Sequence, residues 1–214
     1  MAASTPDPLP RHNRDLSGVL SGVRIYAQLK PDGAGLDRLL RLQSAVRERA
    51  PRARPVSSGR VHLTLIHFGK ADEAYDRLAK ATGVSREVFV LALADYLDES
   101  EAALPAQDFV LFPRGLAGFG RTGSTLALEF DPTPDLRAVH EVLYGLLLLF
   151  LERCGVPDPA AYAAQDPALE FSSVLRPHIS ILHGFPGAGP DAPPLPAPDG
   201  GPFRLRPLPV LYRA

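Results

Sequence analysis

Two segments of this chain carry the same pattern, Val61-His62-Leu63-Thr64-Leu65-Ile66-His67 and Pro177-His178-Ile179-Ser180-Ile181-Leu182-His183. Their alternation predicts β-strands, on which successive side chains point to opposite faces. His62 then shares a face with Thr64, and His178 with Ser180, while Leu63, Leu65, Ile179 and Ile181 point the other way. The copies are too far apart for a hairpin and suit equivalent strands of two packed half-domains. His67 and His183 stand five residues beyond the first histidine of each copy, and a regular strand turns such a residue to the opposite face. Both are expected near a strand end, satisfied by backbone or solvent. The alternative is that twist or a bulge carries one of them to a substrate.

The surroundings of the two segments repeat as well. Residues 23–29 alternate as a strand, 36–50 carry leucines at helical spacing, and 61–68 form the first histidine strand. Residues 125–130, 135–154 and 176–185 repeat that strand, helix and strand order, a weak repeat in elements rather than in identities. Between them, 71–83 and 85–104 read as one bent helix or two. Residues 109–112 and 125–130 read as a long hairpin around the glycine-rich stretch 115–123. Residues 160–164 suit a helical turn, 186–202 a Gly/Pro/Asp/Ala loop, and 203–212 a last strand lying at an edge because of Pro207 and Pro209. Residues 1–20 are expected to be a flexible tail, and 21–214 one domain of two similar lobes.

Composition narrows the functions available. The chain is 45% hydrophobic and 22% charged with a formal net charge of −1, so it offers no general basic surface for long nucleic acid duplexes. A nucleic-acid contact has to be local, which favours short or terminal nucleotides. Cys154 is the single cysteine, which excludes an internal disulfide and a thiolate metal cluster and fits a reducing cytoplasm. The start of the chain lacks the basic and apolar runs of a signal peptide. The most apolar stretch, 139–151, is interrupted by His140, Glu141 and Gly145 and falls short of the ~20 residues of a membrane helix. It reads as a core helix, and no membrane partner is expected.

Two imidazoles in one cleft can hold different protonation states near neutral pH, one taking a proton and the other giving one. Hydroxyls two residues along each strand can donate to non-bridging phosphate oxygens. The pair His62-Leu63-Thr64-Leu65 and His178-Ile179-Ser180-Ile181 closely resembles the twin signature of the 2H phosphoesterase superfamily, which contains RNA 2′,3′-cyclic phosphodiesterases and 2′-5′ RNA ligases. The likeness extends to the early strand with Tyr26-Ala27, the 109–119 stretch, and Arg176-Pro177 before the second histidine. It implies an α+β bilobal fold, two pseudo-symmetric lobes each with an antiparallel-type sheet flanked by helices around a central cleft. It implies hydrolysis, without cofactor or metal, of a 2′,3′-cyclic phosphate or a related cyclic or 2′-5′ phosphodiester on a nucleotide or RNA end. Carried onto this sequence, His62 and His178 take the acid and base roles, and Thr64 and Ser180 orient the phosphate. No stable protein partner is implied.

Two other readings belong to different classes. One is a nucleotide- or RNA-binding module that grips phosphate without turning it over. The other is a phosphodiesterase of a cyclic oligonucleotide or a nucleotide-derived metabolite. Arg114, Arg121 and Arg176 are candidates for phosphate contact or plain surface charges. Tyr26, Phe119 and Phe185 are candidates for base stacking or core positions. His12 and His140 have no partner by spacing. A zinc site built from all four strand histidines is disfavoured, because the two on each strand are expected to diverge.

Overall fold

The computed structural model describes residues 20, 22–120, 122–186, 195–208 and 210–213. Most of the expected tail, His12, Arg121 and part of the 186–202 loop lie outside the described residues. Leu20 is already buried in the core.

The described elements form one mixed α+β unit. In chain order they are β1 (Val23–Pro31), α1 (Gly33–Arg47), β2 (Arg54–Pro55), β3 (Leu63–Lys70), α2 (Ala71–Thr82), α3 (Arg86–Ala103), β4 (Phe109–Leu111), β5 (Pro113–Phe119), β6 (Thr125–Phe130), α4 (Pro134–Arg153), α5 (Pro159–Gln165), β7 (His178–His183), β8 (Phe203–Pro207) and β9 (Leu211–Arg213). Local chemistry sets the helix starts. Asp32, Ser85, Thr133 and Asp158 each accept a hydrogen bond from a backbone N–H of the first turn of α1, α3, α4 and α5. Pro134 and Pro159 occupy first-turn positions that need no donor.

The strands join in the order β4-β8-β1-β3-β7-β6-β5, with β2 beside β7 and β9 beside β1. Every pairing is antiparallel. The two expected half-units appear as β1-α1-β3 and β6-α4-β7, and their sheets meet where β3 pairs with β7 through Leu63 opposite Ile179. From that point the strands splay, and β2 takes up the backbone of β7 at Leu182 and His183.

Apolar residues of one face of this sheet, among them Ile25, Leu29, Leu63, Ile66, Phe68, Leu126, Leu128 and Ile179, are buried in one core with the helices. Phe68 stacks on Tyr96 of α3 at 5.5 Å and meets Phe150 of α4 at 5.1 Å. The other face carries the polar members of the repeated motif.

Two expectations about pairing are corrected. The 109–112 segment is not the hairpin partner of β6: β4 pairs with β8, and the glycine-rich stretch itself forms β5 against β6. Its tip turns at Gly120 and Gly123, whose φ values of 80° and 65° suit glycine. The last run is at an edge only in part, since it divides into β8 and β9, and β9 pairs with β1 alone among the described residues. β8 lies between β4 and β1, and Pro207 is tolerated because it falls beyond the reach of β4, whose pairing ends at Leu205.

Candidate active site

The register of the seam fixes the geometry of the repeated motif. With Leu63 opposite Ile179 in an antiparallel pair, the next positions set His62 across from Ser180 and Thr64 across from His178. The four polar side chains therefore lie on one face in a crossed square, each histidine facing a hydroxyl across the seam. All four are half-buried.

Each ring is held the same way. Nδ1 of His62 lies 2.7 Å from the carbonyl oxygen of Arg60, and Nδ1 of His178 lies 2.7 Å from that of Arg176. A carbonyl only accepts, so Nδ1–H donates in both cases and Nε2 is left to meet a substrate. The carbonyl partner also suits an imidazolium, so the same anchor serves both protonation states. An arginine two residues before each histidine is thus a further member of the repeat, and it was legible as such in Arg60-Val61-His62 and Arg176-Pro177-His178.

The two rings differ in what surrounds them. His178 stacks on Phe119 with ring centroids 3.9 Å apart, and the Arg176 guanidinium sits 4.1 Å from the Phe119 centroid. Both cannot occupy one side of the ring at those distances, so Phe119 is clamped between them. This assigns Phe119 to orienting His178 rather than to an open stacking platform. Glu129, paired in register with His178, accepts a 2.8 Å hydrogen bond from Arg176. His62 has Tyr26 at 6.2 Å, and Lys30 lies across from it by continuation of the β1–β3 register. Lys30 donates to the Gly59 carbonyl at 2.5 Å, which ties it to the turn before His62.

Burial holds the pKa of both imidazoles below the ordinary value. For His62 the nearby charges of Lys30, His178 and His67 push the same way, against the Arg60 carbonyl. For His178 the Arg176 carbonyl and the Glu129 charge pull the value back up, while the Arg176 charge lowers it. Burial also lowers the pKa of Lys30. Lys30, Arg60 and Glu129 were not found from sequence as site residues. Arg60 had a signal in the repeat, whereas Lys30 and Glu129 enter only through strand register.

The other candidates separate cleanly. Tyr26 is on the site face, ring to ring with His62 and, at 4.9 Å, with His67. Phe185 is buried in the core, Arg114 is exposed on β5, and His140 is buried on α4.

The expectation that His67 and His183 face away is overturned by two matched bulges. Gln28 pairs with Thr64 and Tyr26 with His67, so β3 carries an extra residue there and His67 returns to the face of His62. Ala127 pairs with Ser180 and Thr125 with His183, which does the same on β7. His67 Nδ1 donates to the Ala168 carbonyl at 2.8 Å, and His183 Nδ1 lies 3.3 Å from the Thr125 hydroxyl. Among the described residues no group of three or more His, Cys, Asp or Glu is placed to hold a metal ion. No helix among them is long and apolar enough to cross a membrane.

No family model matches the sequence, and no curated protein does. Solved structures do resemble the fold. Protein TT0787 of Thermus thermophilus is 19% identical, with 88% of this chain and 82% of that one covered and a TM-score of 0.50. A structure described as a phosphoesterase is 16% identical, with 86% and 95% covered and a TM-score of 0.52. LigT of E. coli, solved with NADP+, is 16% identical, with 88% and 96% covered and a TM-score of 0.51.

Proposed function

We propose that this chain, whose fold is that of the 2H phosphoesterases, is a phosphoesterase that opens a 2′,3′-cyclic phosphate or a related cyclic or 2′-5′ phosphodiester on a nucleotide or RNA end. The observation that carries the reading is the crossed square: two imidazoles with matched Nδ1 anchors and two hydroxyls on one face, either side of a seam between half-units. A lone binding module has no use for two proton-transfer groups held with Nε2 free.

In this reading His62 is the base and His178 the acid. The charges near His62, Lys30 first among them, all disfavour a proton on it, whereas at His178 the Glu129 charge offsets part of the Arg176 charge. Nε2 of His62 takes a proton from water as its oxygen bonds to phosphorus. The bond from phosphorus to one ribose oxygen breaks, and that oxygen receives the proton from Nε2 of His178. Thr64 and Ser180 donate to the non-bridging oxygens, where negative charge grows.

Alanine at His62 or His178 is expected to lower kcat on a 2′,3′-cyclic nucleotide by about 10²–10⁴-fold, the usual worth of a general acid or base, with circular dichroism unchanged. Full activity in the double variant sinks the assignment. Tight stoichiometric binding with no product after long incubation converts it to a binding module.

A further inference from the structure

His67 has no part in the reaction proposed above, yet β3 breaks its register twice to place it. Tyr26 pairs with His67, while Ile25 pairs with Gly69 and Ala27 and Gln28 pair with Ile66 and Thr64. Phe68 and Leu65 are therefore both extra residues, and His67 lies between them. Burial follows the same count: Leu65, Ile66 and Phe68 are buried and His67 is exposed. A regular strand would bury alternate members instead.

Each bulge disrupts the ladder and bends the strand, so a partner outside the β1–β3 pair has to hold this stretch. The segment after α5 does so through His67 at two points. The ring donates from Nδ1 to the Ala168 carbonyl at 2.8 Å, and the His67 carbonyl accepts from the Ser172 hydroxyl at 3.5 Å. That segment is itself held fast. Buried Asp166 accepts from Nε of Arg77 in α2 at 2.7 Å and from the Ala168 N–H at 2.8 Å, and Ser172 is buried.

Both ends of this connection reach the site. The His67 ring meets the Tyr26 ring edge-on at 4.9 Å, and Tyr26 lies 6.2 Å from His62. Leu65, one of the extra residues, follows Thr64 directly, and the segment runs on to Arg176, whose carbonyl anchors His178. We propose that His67 is a positioning residue for the phosphoesterase reaction, its Nδ1–H on Ala168 keeping the bulged stretch of β3 in the register that sets Thr64 and His62 against His178. This deepens the proposed function and rests on it. The bond to Ala168 is what matters, and any N–H donor at the same place should serve. Asparagine supplies one, since its Nδ2 stands as many bonds from Cβ as Nδ1 of histidine.

The test measures kcat and KM on a 2′,3′-cyclic mononucleotide for the full chain, His67→Ala and His67→Asn. His67→Ala is expected to lower kcat about ten- to hundredfold, the reach of a misplacement of about 1 Å, with KM and circular dichroism near native. His67→Asn is expected to recover most of that loss. A native kcat in His67→Ala overturns the proposal, as does a raised KM at native kcat, which makes His67 a substrate contact. His67→Asn as slow as His67→Ala overturns it too, because the imidazole itself is then needed. Should the native protein turn over no such substrate, the failure belongs to the phosphoesterase reading. The connection is then read without substrate by hydrogen exchange over 63–70 and 166–174, expected to be faster in His67→Ala and native-like in His67→Asn. Unchanged exchange in His67→Ala, or equally fast exchange in His67→Asn, overturns it.

Discussion

At the scale of single residues, the proposed reaction makes the rate depend on the protonation of two imidazoles. The base must be neutral, so activity falls as pH drops through the pKa of His62. The acid must be protonated, so activity falls as pH rises through that of His178. Burial lowers both, so the bell in kcat/KM is expected to peak on the acid side of about 6.5, the ordinary imidazole value. Glu129→Gln removes a charge that raises His178 and should move the alkaline limb to lower pH. Lys30→Met removes one that lowers His62 and should move the acid limb to higher pH. Both variants narrow the bell, and a profile unmoved by either contradicts the assignment of roles. His62, Thr64, His178 and Ser180 were legible because alternation on a strand is a local property. Glu129 and Lys30 were not, since a residue on a neighbouring strand becomes adjacent only when register is fixed.

At the scale of elements, the bulge in β7 is held from outside the strand. The Ile181 carbonyl accepts from the Val56 N–H at 2.9 Å and from Nε2 of Gln43 in α1 at 2.8 Å, and Gln43 also donates to the Val56 carbonyl at 2.9 Å. Gln43 is buried. Gln43→Ala leaves the buried Val56 carbonyl without its amide donor, at a cost of about 1–3 kcal/mol where no water replaces it, and leaves the Ile181 carbonyl with the Val56 N–H alone. The expected result is a lower unfolding midpoint together with a lower kcat, because the same bulge sets the phase of His178 against His183. Gln43→Glu, which cannot donate at both positions, should resemble the alanine variant rather than the native protein. A normal kcat in a folded Gln43→Ala protein separates the bulge from the chemistry. These donors explain why sequence turned His183 the wrong way. Period-two counting assumes an unbroken strand, and a bulge is decided by tertiary partners. The same limit applies to β4, whose alternation marks a strand but not its partner.

At the scale of the molecule, the halves are joined by helices as well as by the sheet. α1 of the first unit bonds to β7 of the second through Gln43 and Ile181. α4 of the second unit covers β3 of the first: Phe150 meets Phe68 at 5.1 Å, Tyr96 at 5.6 Å and Phe89 at 5.7 Å. The strand, helix and strand repeat was legible, but not that each helix crosses to the other unit, because amphipathic spacing marks a buried face without naming what buries it. With both helices also packed against the other unit and one shared core, neither half keeps its core when the other opens, so unfolding should be one cooperative transition. Cys154, at the end of α4, is buried, and burial pushes its thiol up to about 12. It is therefore expected to resist thiol reagents in the native state and to react only when α4 opens. Phe150→Ala should cost about 3–5 kcal/mol. Where reclosing is faster than labelling, Cys154 modification should accelerate by the factor that the same free energy gives from denaturant titration. Agreement between the two means that α4 leaves β3 only when the whole chain unfolds. Labelling that outpaces global unfolding would show that α4 detaches locally, and the halves would then be coupled through the Leu63–Ile179 seam instead.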